Sequence, residues 1–298
     1  MAKIIIAGGS GMLGKELRKK LVSENHEVVI LSRNKSICKQ SSDHIYWNPE
    51  KQWIDPNVFV STDVLINLCG SNISQGRWTS QRKKELLESR IIPIHFLVDV
   101  FKRHQIRIPK ILQASAIGIY GRQDIESVDE STRVSSTDFL SNLCLQWEKS
   151  GTLLRPYCDQ LSLVRIGVVL DKQEGMLAKI ASTSGFKFIA CFGKGRETLS
   201  WISGTDFCNI VSKLIDVVEI PNIINLVSPH WTTYSSFYLQ LKHFFKVPFL
   251  LRLPEFLGKW IFGEMFVLLN YNQKVKSKNL TNMNYQFIHP SLEDFLKK

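Results

Sequence analysis

Ser115 and Tyr120, in the stretch SAIGIYG (115–121), carry hydroxyls that could hold a carbonyl oxygen and pass it a proton. That is the acid–base half of a hydride transfer to or from a carbonyl, which needs a donor for the forming alkoxide. Packing of Tyr120 in the interior is the equal alternative. Glu130, in VDES, reads as a pairing or capping carboxylate rather than a reacting one.

A second group of residues could hold the other reactant. Gly8, Gly11 and Gly14, in AGGSGMLG, fall in a G-x-x-G-x-x-G spacing between the β-branched run KIIIA and a segment whose Leu13, Leu17 and Leu21 recur every fourth residue. A tight strand-to-helix turn needs residues without a Cβ, a pyrophosphate must approach its backbone closely, and the helix start offers free N–H groups and a positive dipole end. This context predicts dinucleotide binding, with Ser10, Met12 and Leu13 in the same loop as cofactor contacts. The second strand ends in VVILSRN, so Ser32 and Arg33 stand where an NAD site offers Asp or Glu to the ribose. A guanidinium there suits a 2′-phosphate, and NADP is the expected cofactor. Leu68 and Gly70, in NLCG after an apolar strand, are expected to touch it as well. Ser115 then has a second reading, a contact to the nicotinamide end without a role in proton transfer.

These residues need elements to place them. KIIIA, EVVIL (27–31), DVLINLCG (63–70), PKILQASA (109–116), LSLVRIGVVL (161–170) and NIINLV (222–227) read as strands. Between them lie helical patterns: one after the glycine loop, one over roughly 79–104 that Pro93 should kink or break, one near 138–157, and one after Asp206. Asp206 reads as the N-cap of that last helix. Alternating strands and helices predict an α/β fold: a doubly wound Rossmann-type parallel sheet with a smaller C-terminal substrate region. The expected division is a cofactor domain over 1–170, which the 222–227 strand rejoins, and a substrate side over 171–298. The stretch 185–206, rich in glycine and aromatics, reads as loops with short strands.

Composition narrows the alternatives. The 298 residues are 44% hydrophobic, enough for a sizeable core, and carry a net charge of +11 whose lysines and arginines are scattered apart from short runs. Without a recognised nucleic-acid motif the charge does not point to a nucleic-acid partner. The six cysteines form no CxxC pair, which suggests a reducing compartment, and the seven histidines show no metal-ligand spacing. No signal peptide or membrane span is expected, so the protein is expected in the cytoplasm or a plastid stroma. WIFGEMFVLLN (260–270) is the longest apolar run and reads as a buried helix, with docking on a membrane surface or partner as the other reading.

Several stretches, in order along nearly the whole chain, resemble the extended short-chain dehydrogenase/reductases, and among them an atypical group named as nucleoside-diphosphate-sugar epimerases. They are GGSGMLG, LINLCGSNISQGRWTSQRKKELLESRI, SAIGIYG, DFLSNLCLQWE, VRIGVVLDKQEGML, LSWISGTD and GEMFVLLNYNQKV with FIHPSLEDFL. The resemblance implies an NADP-binding domain with a family-specific C-terminal module near 249–298, a small carbonyl or sugar-like substrate, and oxidoreductase or epimerase chemistry. Some members carry cell-division-inhibitor names, which implies the alternative of a non-catalytic NADP-binding regulator that docks through that module.

In extended relatives a lysine stands four residues, and a tyrosine eight residues, before a glutamate of the active-site helix. Counting back from Glu148 gives Cys144 and Leu140, which cannot serve as that dyad. The Y-x-x-x-K pair that does occur, Tyr238 and Lys242, follows the last sheet strand. Arg77 and Trp78 could cover a substrate or anchor their loop. Arg165 could meet a substrate phosphate or form an ion pair. Trp201 reads as structural.

Overall fold

A computed structural model describes residues 1–123, 127–136, 138–184, 187–193, 195–269 and 271–297. The run KIIIA forms β1 (Lys3–Ala7) and alternates its side chains between two apolar layers. Ile4 and Ile6 join one cluster with Leu17 and Leu21, whereas Ile5 and Ala7 join another with Leu65, Leu97 and Phe101. Burial on both faces is why this strand is apolar throughout.

Along the chain, α1 (Met12–Ser23) and β2 (Glu27–Ser32) complete the first βαβ unit. A short α2 (Lys35–Gln40) leads to β3 (His44–Asn48) and β4 (Trp53–Ile54), an edge hairpin that the sequence pattern did not reveal. β5 (Val64–Asn67) is followed by α3 (Ser80–His104), which continues through Pro93 as one helix rather than breaking there. β6 (Ile108–Ala116), α4 (Phe139–Gly151) and β7 (Cys158–Ile166) come next.

The expected strand over 161–170 divides at Gly167. A Cβ there would lie 3.0 Å from Val227 Cγ1 and 3.1 Å from the Leu226 carbonyl oxygen, so a side chain would fit only if its neighbours gave way by a few tenths of an ångström. Beyond it β8 (Val168–Leu170) leaves the main sheet. The chain continues through α5 (Gly175–Ser184), β9 (Phe188–Phe192), β10 (Thr198–Leu199) and β11 (Trp201–Ser203), the last pairing with β8. The stretch 185–206 thus holds short strands as expected, with residues 185, 186 and 194 outside the described residues. After α6 (Gly204–Asp216), β12 (Ile223–Leu226) returns to pair with β7.

Among the described residues the main sheet has eight strands in the order β12, β7, β6, β5, β1, β2, β3, β4. Every neighbouring pair is parallel except the β3–β4 edge. Leu17 and Leu21 of α1 and Phe207 and Ile210 of α6 pack in the cluster on one face, and Leu97 and Phe101 of α3 and Trp147 of α4 in the cluster on the other. This is the doubly wound Rossmann-type arrangement, and the strand order reverses direction between β1 and β5.

The C-terminal region is smaller and has its own apolar cluster, including Leu177, Ile189, Trp201, Phe237, Leu241 and Phe295. It adds β13 (Thr232–Thr233), α7 (Tyr234–Phe244), β14 (Phe249–Leu253), α8 (Glu255–Phe262), α9 (Lys278–Asn282) and α10 (Leu292–Lys297). Over 260–269, the described part of the apolar run 260–270, the chain is partly exposed rather than a buried helix: Trp260 is 76% exposed and Phe266 is buried.

Asp206 is not the N-cap of α6; Ser203 is, its Oγ accepting the Asp206 N–H at 3.0 Å. The fully buried Asp206 carboxylate instead accepts from the Ser203 hydroxyl, the Tyr285 phenol and the Ile288 and His289 amides. Removing it strands several buried donors, each costing about 1–3 kcal/mol. Asp206→Ala is therefore expected to lower the unfolding free energy by about 3 kcal/mol or more, read as a fall in the urea midpoint.

Candidate cofactor cleft and active site

The turn between β1 and α1 is shaped by glycines with different tasks. Gly8 has φ +82°, and a Cβ on it would lie 2.7 Å from the Leu68 carbonyl carbon. Gly14 would place a Cβ 2.5 Å from Gly9 Cα, so the helix can sit this close to the turn only with glycine there. Gly11 differs: the nearest atom to its Cβ position is Gly8 O at 3.5 Å, an ordinary contact, and the residue is exposed. Its missing side chain leaves an approach to the backbone rather than relieving a clash.

Gly11 is the N-cap of α1, with no side-chain cap and no acidic residue in the first turn. The opening N–H groups at Met12, Leu13 and Gly14, and the positive dipole end, therefore meet no competing protein anion in that turn. Ser10 lies exposed beside them, and Met12 and Leu13 are half-buried. The start of α5 comes up against this turn, a Cβ at Gly175 falling 3.4 Å from Met12 Sδ. An open Gly11 over a cradle closed by Gly8 and Gly14 fits the diphosphate of a dinucleotide.

At the end of β2, Ser32 is buried and its Oγ accepts the Asn34 N–H at 3.2 Å. Arg33 projects outward, 72% exposed, with Glu50 of the β3–β4 turn 3.6 Å away. Such a surface pair is worth about 0–1 kcal/mol, so a phosphate could take Glu50's place. Glu50 came into view only with the hairpin. Across the strand ends, Leu68 is half-buried and Gly70 exposed.

Ser115 and Tyr120 are brought together, but inside the core. Ser115 is 1% exposed and donates to Glu148 Oε1 at 2.7 Å. The same carboxylate accepts Arg165 Nε at 2.8 Å and Nη2 at 2.9 Å. Arg165 Nη1 donates to the Tyr120 hydroxyl at 2.8 Å, and that hydroxyl donates to Asn225 Oδ1 at 2.9 Å. The chain of bonds ends at Glu130, which accepts from the Asn225 and Lys278 amides and the Ser277 hydroxyl. Glu130 thus pairs and caps, as expected.

Electrostatics agree with a fixed network. Burial opposes the Arg165 charge, but the Glu148 bonds and charge more than offset it and hold the guanidinium above its ordinary value. Burial pushes the Tyr120 phenol up, against Arg165, whereas an acid catalyst needs the opposite shift. Both hydroxyls of the expected proton path, Ser115 and Tyr120, are thus buried and hydrogen-bonded within this network. Strand alternation turns Ser115 inward, and Ala116, half-exposed, is the next residue of β6.

At the dyad positions Leu140 and Cys144 are both buried, and burial pushes the Cys144 thiol up to about 12, leaving it neutral. Tyr238 lies buried in the C-terminal cluster rather than at the strand ends. Arg165 forms an ion pair, Trp201 is fully buried, and Arg77 and Trp78 anchor their loop. Arg77 donates to the Trp260 and Ile261 carbonyls, and Trp78 Nε1 to the Ile73 carbonyl. Among the described residues no group of three or more His, Cys, Asp or Glu could hold a metal ion, and no helix is long and apolar enough to cross a membrane.

Fold and cradle define a Rossmann-type dinucleotide-binding protein, and the comparisons narrow the class. Residues 4–139 match the NAD dependent epimerase/dehydratase family, and residues 253–298 a domain of unknown function (DUF1731). Epimerase family protein Mb2239 of Mycobacterium bovis is 30% identical, covering 99% of this chain and 96% of that protein. YfhF of Bacillus subtilis is also 30% identical, over 97% and 95%. The crystal structure of human epimerase family protein SDR39U1 (isoform 2), determined with NADPH, superposes with a TM-score of 0.87 at 24% identity, covering 99% of this chain and 98% of that one. The chain belongs to this epimerase family, an atypical branch of the extended short-chain dehydrogenase/reductases.

Removing one member of the buried pair leaves an uncompensated charge. Glu148→Ala is expected to lower the unfolding free energy by about 3–5 kcal/mol, and Tyr120→Phe by about 1–2 kcal/mol. Equilibrium denaturation of each variant beside the unaltered protein checks both values.

Proposed function

We propose that this protein binds NADP(H) in the Gly8–Gly14 cradle and uses it as an oxidoreductase or epimerase on a small carbonyl or sugar-like substrate. The observation that carries the reading is the cradle itself: Gly8 and Gly14 admit no side chain, while Gly11 stands open at an uncapped helix start. NADPH in the crystal structure of human SDR39U1 supports the choice of cofactor. When bound, NADP(H) supplies the hydride donor or acceptor. Ser10, Gly11, Met12 and Leu13 receive the diphosphate, Ser32 and Arg33 face the ribose end, and Leu68 and Gly70 line the opposite wall. Ser115 and Tyr120 act as positioning residues, fixing the end of β6 and the turn after it.

A second reading, a non-catalytic NADP(H)-binding regulator of cell or plastid division, is favoured by the buried Leu140 and the buried, neutral Cys144 thiol at the dyad positions. In that reading Phe256 and Trp260, exposed by 67% and 76% on α8, offer a docking face.

Nicotinamide fluorescence during titration with NADPH and NADH tests the shared part: NADPH is expected to bind the more tightly. Arg33→Ala should weaken NADPH by about tenfold, or about 1.4 kcal/mol, and leave NADH nearly unchanged; equal losses for both would remove Arg33 from 2′-phosphate recognition. A screen of small carbonyl and sugar-like compounds for NADPH oxidation then separates the readings. Turnover establishes the enzyme, and tight binding without turnover favours the regulator.

A further inference from the structure

The strand β14 has an apolar sequence, FLLRL, set between Pro248 and Pro254. Among the described residues it pairs on one side only, with β9. Gly193 N donates to the Leu253 carbonyl at 3.0 Å at the end of that ladder. Alternate residues of a strand turn their N–H and C=O groups to opposite sides, so Phe249, Leu251 and Leu253 face β9 while Leu250 and Arg252 turn theirs outward. Among the described residues no hydrogen bond reaches these outward groups.

The side chains along this edge are as open as its backbone. Phe249 is 68% and Leu251 45% exposed, and α8, directly after the strand, adds the exposed Phe256 and Trp260 one helical turn apart. Folded proteins guard an edge with charge, proline or a covering element, and an open apolar edge is a template for another strand. Here the prolines stand only at the ends, which limits any pairing to the five residues between them.

The charges flanking the strand indicate which partner fits. Lys246 precedes it and Glu255 follows it, both exposed, and among the described residues neither forms an ion pair. A parallel copy of the strand would bring like charges together. An antiparallel copy reverses the order, so Lys246 of each molecule comes to the end that carries Glu255 of the other. A two-fold axis through Leu251 then sets Leu250 opposite Arg252 of the second copy, each such pair exchanging both of its outward N–H···O bonds. Leu251 meets its own counterpart, and Phe249 meets Leu253 of the second copy.

We propose that β14 pairs antiparallel with β14 of a second copy of this chain, across a two-fold axis through Leu251. The pairing uses up the free edge of both copies, so the assembly closes at two. A stable interface buries about 1,200 Å² or more in total, which two such short strands do not supply alone, and Phe256 and Trp260 complete the covered face. The inference rests neither on the cofactor nor on the activity.

Sedimentation velocity of the full chain, from micromolar concentration upward, is expected to show a dimer. Arg252→Pro removes an outward N–H at an edge position that the single molecule tolerates, whereas Arg252→Ala keeps it. The first should weaken self-association by about tenfold or more and the second by about threefold or less. Lys246→Glu and Glu255→Lys each set like charges at both ends and should weaken the dimer by about fivefold, and the two together should restore it to within about twofold. Leu251→Cys should give a disulfide-linked dimer on mild oxidation, since residues opposed at such a non-hydrogen-bonded pair lie about 4.5 Å apart between Cα atoms. Leu239→Cys, similarly exposed on α7, should not, and the unaltered protein with its six cysteines sets the background.

A monomer at every concentration overturns the pairing; binding of that monomer to phosphatidylglycerol vesicles, lost in Trp260→Ala, would assign the face to a lipid surface instead. A dimer that Arg252→Pro and both single charge variants leave unchanged overturns it as well and places the contact elsewhere. If Arg252→Pro does not fold, the remaining variants decide: no restoration in the double charge variant together with no cross-link through Leu251→Cys overturns it.

Discussion

The pairing of Glu148 with Arg165 is the constraint around which the ends of β6 and β7 and the helix α4 are arranged. It joins α4 to β7 in the interior, and both partners use their remaining bonding capacity to hold β6 through Ser115 and the following turn through Tyr120. Desolvating two charges is tolerable only with such complete hydrogen bonding. A proton moved through this network would disturb the bonds that align three elements of the fold.

The cofactor side follows another logic. There the backbone is shaped by what is missing, and the necessary residues lie close together in sequence. Glycines at 8, 11 and 14, a β-branched run before them and leucines at helical spacing after them are local signals, so the cradle was legible from the sequence. Buried strands with apolar residues on both faces were legible for the same reason. The β3–β4 hairpin was not: His44–Asn48 mixes polar and aromatic residues at a sheet edge, where burial does not impose a clean pattern. The division at Gly167 was hidden because the crowding around that glycine comes from Val227, sixty residues away in the chain.

Long-range pairing also explains which site residues escaped a sequence reading. Ser115 has the right type and sits at the end of the right strand, but which way its side chain points depends on register, since successive residues of a strand face opposite sides of the sheet. Arg165 was open between ion pair and ligand contact until Glu148 was found opposite.

The C-terminal segment passes through the middle of this arrangement. Gln273 donates to the Ile117 and Gly121 carbonyls, Asn225 holds the Lys276 carbonyl, and Tyr271 donates to Asp138 at the head of α4. Arg77 reaches the carbonyls of Trp260 and Ile261. The two regions that match separate families, 4–139 and 253–298, are thus knitted across the same turn and loop. Replacing either region alone would therefore remove side chains whose bonding partners lie in the other, Tyr271 from Asp138 and Arg77 from the carbonyls of Trp260 and Ile261.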